Sequence, residues 1–171
     1  SEMCIRDSYK TMAHTYRARQ EGTPRSVVVQ LLPTQLARSG RFVQAFNYQF
    51  GQLKTAHHPT INRIIEFGVD KSFPYIISEY VKGPTLYGVL ETMRKKFTRV
   101  QIQVTARIVN QIAMALSYAH QHDIVHGDLH AGHVILADAN RTVVRDFLLA
   151  KLLIESSDLP KEELLGDTEE I

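Results

Sequence analysis

Two aspartates eighteen residues apart, Asp128 and Asp146, frame the part of the sequence best suited to chemistry. The first lies in a polar loop, His126-Gly127-Asp128-Leu129-His130-Ala131-Gly132-His133, followed by an apolar run, Val134-Ile135-Leu136, that reads as a strand. Thr142-Val143-Val144 reads as a second strand and leads into Asp146-Phe147-Leu148. One hairpin thus brings two carboxylates together. That arrangement suits phosphoryl transfer, where one acid orients a hydroxyl and the other holds Mg2+ on the phosphates. His126, His130 and His133 with Asp128 are also a metal-ligand set by type. Their spacing of four and then three suits one face of a helix, whereas Gly127 and Ala131-Gly132 argue for a loop.

The elements that must position this loop are legible upstream. Glu21 to Pro24 is a turn, and Ser26 to Leu32 a β-branched strand on which Val28 and Gln30 share a face. Arg41 to Ala56 predicts a helix with Phe42, Ala45, Phe46, Phe50 and Leu53 on its apolar side. Gln49 points along that side, nineteen residues after Gln30. Pro74 to Val81 reads as a strand that breaks at Lys82-Gly83. Thr85 to Lys95 predicts a short helix. Thr98 to Gln121 predicts a long one, opened by a capping box from Thr98 to Gln101. Its stripe, Val104, Ile108, Ile112, Ala115, Leu116 and Ala119, reads as core. Beyond Ala150 the chain turns acidic.

The order and spacing of these pieces resemble the protein kinase superfamily in its bacterial Ser/Thr branch, with its H-R-D-x-x-x-x-N loop and D-F-G triplet. The resemblance covers residues 9–153. It implies an α+β bilobal fold, with an antiparallel β-sheet amino-terminal lobe carrying one helix over 9–81 and part of a helical carboxy-terminal lobe over 82–153. Residues 154–171 fall where an activation segment would begin. Residues 1–8 look like translated sequencing adaptor and are expected to be a non-native leader, and the whole is expected to be a truncated fragment, since kinase domains run to about 250 residues.

By the same resemblance the catalytic positions are Asp128, Gln30, Gln49 and His126. Thr15, Val28 and Ile135 would face an adenine, Glu79 and Val81 would offer hinge backbone groups beside Ser78, and Asp146 and His133 would stand at the metal. Leu53, Ile64, His126 and Phe147 fall where the family stacks four side chains between its lobes.

The departures concern phosphate and metal. Gln30 stands for the family's Lys, Gln49 for its Glu, His133 for its Asn, Gly127 for its Arg, His130 for its Lys and Leu148 for the last Gly of the triplet. Ser8, Lys10 and Ala13 occupy the positions of the glycine-rich loop, whose backbone freedom cradles phosphates. A charge-assisted contact to phosphate is roughly twice as strong as a neutral one, so Gln30 binds it less well than Lys. Two amides at 30 and 49 can satisfy one another where an unpaired acid would be costly. An imidazole at 133 suits Mg2+ poorly. These departures imply weak ATP and Mg2+ binding and a pseudokinase acting as a regulatory or binding module. The alternative is a weakly active ATP-dependent protein phosphotransferase using Asp128 and Asp146, with Lys10 or Arg17 standing in for the missing Lys.

His-Gly-Asp-Leu-His also resembles the loop of aminoglycoside and choline phosphotransferases, but the amino-terminal half favours the protein-kinase branch. The expected partner is therefore a protein. A net charge of +2, spread without a long basic block, gives no footprint for nucleic acid or a membrane surface. No apolar run approaches the ~20 residues of a spanning helix and no signal-peptide pattern opens the chain, so the expected compartment is cytoplasmic. One cysteine, Cys4, excludes an internal disulfide and a cysteine-based zinc site.

Overall fold

A computed structural model of the chain describes residues 4–5, 13–19, 22, 24–137 and 141–156. Five antiparallel strands, β1 (Cys4–Ile5), β2 (His14–Arg19), β3 (Ser26–Leu31), β4 (Ile64–Asp70) and β5 (Phe73–Glu79), form one sheet in the order β1-β2-β3-β5-β4. Cys4 and Ile5 pair with Arg17 and Tyr16 and extend the sheet edge.

Helix α1 (Gly40–Thr55) covers the sheet. Ser39 starts it by accepting a hydrogen bond from the Phe42 amide (3.2 Å), as an N-cap serine should. Phe42, Phe46 and Phe50 recur every four residues and are buried on one face. Their rings lie 5.5 and 4.9 Å apart in sequence order, and Phe67 from β4 meets Phe46 edge-on at 5.6 Å. Each such ring contributes about 3–5 kcal/mol against truncation to alanine, so this cluster fixes α1 on the sheet.

Below the sheet lie α2 (Leu86–Lys95), α3 (Ile102–His120), a two-stranded hairpin of β6 (Val134–Leu136) and β7 (Thr142–Val144), and α4 (Leu149–Ser156). The hairpin is tied to the upper lobe through Val144. Its amide donates to the Thr60 carbonyl and its carbonyl accepts from Asn62, each at 2.8 Å. The fold is thus the expected α+β arrangement of an antiparallel sheet lobe and the beginning of a helical one.

Three local expectations need correction. The long helix starts at Ile102, not Thr98, and Gln101 caps it with no side-chain bond. Thr98 instead closes the turn after α2, its hydroxyl reaching the Met93 carbonyl at 3.5 Å. Of the α3 stripe only Ala115 and Ala119 are fully buried, while Val104, Ile108, Ile112 and Leu116 are half-buried. A helix also crosses the expected boundary at 153, because α4 runs through Ser156 and buries Leu149, Leu152 and Leu153 beside α1.

Candidate active site

The catalytic loop and the turn after β7 are held together by His126. Its ring is 3 % exposed and both nitrogens are engaged. Nε2–H donates to the Arg145 carbonyl (2.9 Å), and Nδ1 accepts from the Asp128 amide (3.3 Å). The Leu148 amide returns a bond to the His126 carbonyl at 3.2 Å. Phe147 packs against the same ring at 4.6 Å, and Leu53, Ile64 and Phe147 lie in one buried cluster. The four expected stacking positions therefore converge.

Local backbone favours one of the substitutions and opposes another. Gly127 has φ +86°, and a Cβ there would lie 3.0 Å from the Lys151 Cβ and 3.1 Å from its backbone nitrogen. An arginine at this position would be both strained and crowded. Leu148 has φ +69° yet is 3 % exposed, so a branched side chain holds a left-handed backbone because its burial outweighs the strain. Asp146 also has a positive φ, +63°.

Three groups surround the Asp146 carboxylate. Gln30 Nε2 donates to Oδ1 at 3.1 Å, bridging β3 and the turn after β7. His133 Nε2 is 3.6 Å from Oδ2, and Arg145 Nε is 3.2 Å from Oδ2 as a neighbouring charge without the alignment of a hydrogen bond. His133 is oriented from behind, its Nδ1–H donating to the Asp128 carbonyl at 2.7 Å.

On the open side of the loop, His130 Nε2 approaches Asp128 Oδ2 at 3.8 Å. Burial first, then the neighbouring His133, holds the pKa of both His126 and His130 below the ordinary imidazole value. Both rings are therefore neutral near pH 7.

The mutual satisfaction expected of Gln30 and Gln49 is not what forms. Gln30 turns to Asp146, and Gln49 Oε1 is buried with no hydrogen-bond partner among the described residues. The strand amide finds a carboxylate, which is a stronger acceptor than another amide.

The remaining expected positions lie on β2, β3, β5, β6 and the connection after β5. Thr15 on β2 pairs with Gln30, and Val28 on β3 pairs with Ser78, which is buried at 5 % exposure. Glu79 ends β5, its amide bonded to the Arg63 carbonyl at 2.9 Å, and Val81 lies two residues on in the connection between lobes. Ile135 on β6 bridges to Thr85. Behind the cleft, Gln30, Ser78, Asp146 and Phe147 border a cavity of about 10 Å³, room for roughly one water. Arg17 lies 4.0 Å over the Tyr80 ring and donates to the Ser26 hydroxyl at 3.3 Å. Ser8, Lys10 and residues 157–171 of the expected activation segment lie outside the described residues.

An antiparallel sheet lobe with a phenylalanine-faced helix, joined through a histidine-anchored loop to an Asp-Phe-Leu turn, defines a protein-kinase-like domain. The model of the protein tyrosine and serine/threonine kinase family matches residues 9–165, and the chain belongs to that family. A Streptomyces coelicolor protein named a probable serine/threonine-protein kinase is 32% identical over 149 residues, which cover 85% of this chain and 22% of the relative. Serine/threonine-protein kinase PknB of Mycolicibacterium smegmatis is 28% identical over 151 residues, covering 86% of this chain and 24% of the relative. The chain thus spans about a quarter of the length of these curated relatives. The crystal structure of the Mycobacterium tuberculosis PknI kinase domain superposes with a TM-score of 0.67 at 26% identity, covering 85% of this chain and 57% of that one. Among the described residues no helix is long and apolar enough to cross a membrane.

Proposed function

We propose that this Ser/Thr-kinase-like domain is a pseudokinase, a regulatory or protein-binding module in which the phosphate-handling chemistry has been given up while the scaffold is kept. The observation that carries this reading is the hydrogen bond from Gln30 to Asp146. In the family's arrangement the strand Lys binds phosphate and the Asp binds Mg2+. Here a neutral amide at the Lys position donates directly to that Asp, so the two groups engage each other.

The donor set fits Mg2+ poorly. Mg2+ requires hard oxygen ligands in near-octahedral geometry, whereas Asp146 is flanked by an amide donor, an imidazole and the Arg145 guanidinium. Of the two cations considered as substitutes for Lys, Arg17 is directed at Tyr80 and Ser26. By the family resemblance Thr15, Val28, Ile135, Glu79 and Val81 are the adenine-facing positions, and their small or apolar character supports weak nucleotide affinity without metal dependence. The partner is a protein, met through the surfaces that a kinase lobe presents.

The second reading, a weakly active protein phosphotransferase, is favoured by one observation, the intact His126–Phe147 stack that holds Asp128 in place. Phosphate transfer from radiolabelled ATP to a generic protein substrate separates the two. Incorporation that disappears in Asp128→Asn establishes the enzyme, and none above background supports the pseudokinase.

A further inference from the structure

Three catalytic-loop side chains are gathered in a way the reading above does not use. Among the described residues, Asp128, His130 and His133 each offer a ligand atom, and these atoms lie within 4.8 Å of one another. The loop is not an α-helix, but Ala131–His133 forms a single 3-10 turn capped by His130. His130, the extended residue that caps this turn, and His133 at its end bring their imidazoles to 3.8 Å, centroid to centroid. Ala131 and Gly132, which argued for a loop, form this single turn, and the three-residue step from His130 to His133 is met across it.

We propose that Asp128, His130 and His133 bind a transition-metal dication of the zinc class, with Asp146 a further ligand only on turning its Oδ2 from Arg145 Nε, 3.2 Å away. His133 is prepared for this. Its Nδ1–H is fixed on the Asp128 carbonyl at 2.7 Å, which leaves the Nε2 lone pair on the side of Asp146. Such a bond behind a ligand histidine sets its tautomer and raises its basicity. Asp146 Oδ2 lies 3.6 Å from that Nε2, close to the ~3.4 Å separating neighbouring ligands of a tetrahedral ion bound at 2.0–2.1 Å. Asp128 and His130, with side chains 41% and 50% exposed, are free to close on the ion. One rearrangement is required, since His130 Nδ1 accepts from the Gly132 amide at 3.0 Å and must release that bond for Nε2 to shed its proton. Imidazole nitrogens with one or two carboxylates suit Zn2+ or Co2+ and not Mg2+. Occupancy ties up the carboxylate of Asp128, so the ion would report on, and control, access to the loop.

The proposal is independent of the nucleotide reading, because its test contains no nucleotide. Tag-free chain, stripped with EDTA and dialysed, is titrated with Co2+ while visible d–d absorption is followed, then back-titrated with Zn2+. The expected result is saturation at one equivalent, displacement by Zn2+ but not by excess Mg2+, and a loss of affinity of about tenfold or more in His130→Ala and in His133→Ala. His122→Ala, two residues past the end of α3, should bind as the parent does. No saturable band, a band unchanged by His130→Ala, or displacement by Mg2+ at similar concentration would each overturn it. Should His133→Ala fail to fold, the exposed substitutions His130→Ala and Asp128→Asn decide the matter.

Discussion

Gln30 Nε2 and Asp146 Oδ1 are 3.1 Å apart, although 116 residues separate them in the chain. This bond links the sheet lobe to the turn after β7, and Gln30 is 8 % exposed. A buried hydrogen bond to a charged group contributes about 1.5–3 kcal/mol. Gln30→Ala should therefore lower unfolding stability by about 2 kcal/mol in urea titration, and Gln30→Lys should recover most of it through a charge-assisted bond. Equal losses in both variants would mean that Asp146 is not the partner in solution.

Gln49 supplies the opposite case. Its Oε1 is buried without a partner among the described residues, so removing the polar group is not penalised as at Gln30. Gln49→Leu should match the parent or exceed it by about 1 kcal/mol in the same titration. A loss above about 2 kcal/mol would show that the amide has a partner and that the expected pairing with Gln30 forms after all.

At Gly127 the backbone, not the side chain, sets the outcome. With φ +86° and Lys151 main-chain and Cβ atoms within 3.1 Å of a new Cβ, Gly127→Ala should cost about 2 kcal/mol. Trimming Lys151 to alanine should rescue little, because the crowding atoms remain. Full rescue would place the clash further out along the lysine.

Leu148 offers an inverted order of substitutions. Leu148→Ala removes buried side chain while retaining the left-handed backbone at φ +69°, at a cost of about 3 kcal/mol. Leu148→Gly loses the same burial but relieves the strain, so it should be more stable than the alanine variant by about 1 kcal/mol. The usual order, alanine above glycine, would show that the turn does not hold this conformation.

How much of this was readable beforehand depends on range. Helix α1 was legible to within a residue because its phenylalanines recur at helical spacing. The β6–β7 hairpin was legible from two short apolar runs. The start of α3 was misread because Thr98 and Gln101 carry a capping-box pattern, yet Thr98 belongs to the preceding turn. Helix α4 went unforeseen, being eight residues long and adjoining an acidic stretch, and its burial depends on α1 nearly a hundred residues away. In the site, the positions followed from spacing but the partners did not. Nothing local in Ser26 to Leu31 says that Gln30 reaches Asp146 and not Gln49. The approach of His130 to His133 likewise depends on a 3-10 turn that periodicity does not distinguish from a loop.

The most direct measurement of the central claim is calorimetric titration of ATP into the parent chain and into Gln30→Lys/Gln49→Glu, each with and without Mg2+. The account predicts weak, magnesium-independent binding to the parent and an affinity gain of about tenfold in the double variant, which appears only with Mg2+. Tight, magnesium-dependent binding by the parent would contradict it.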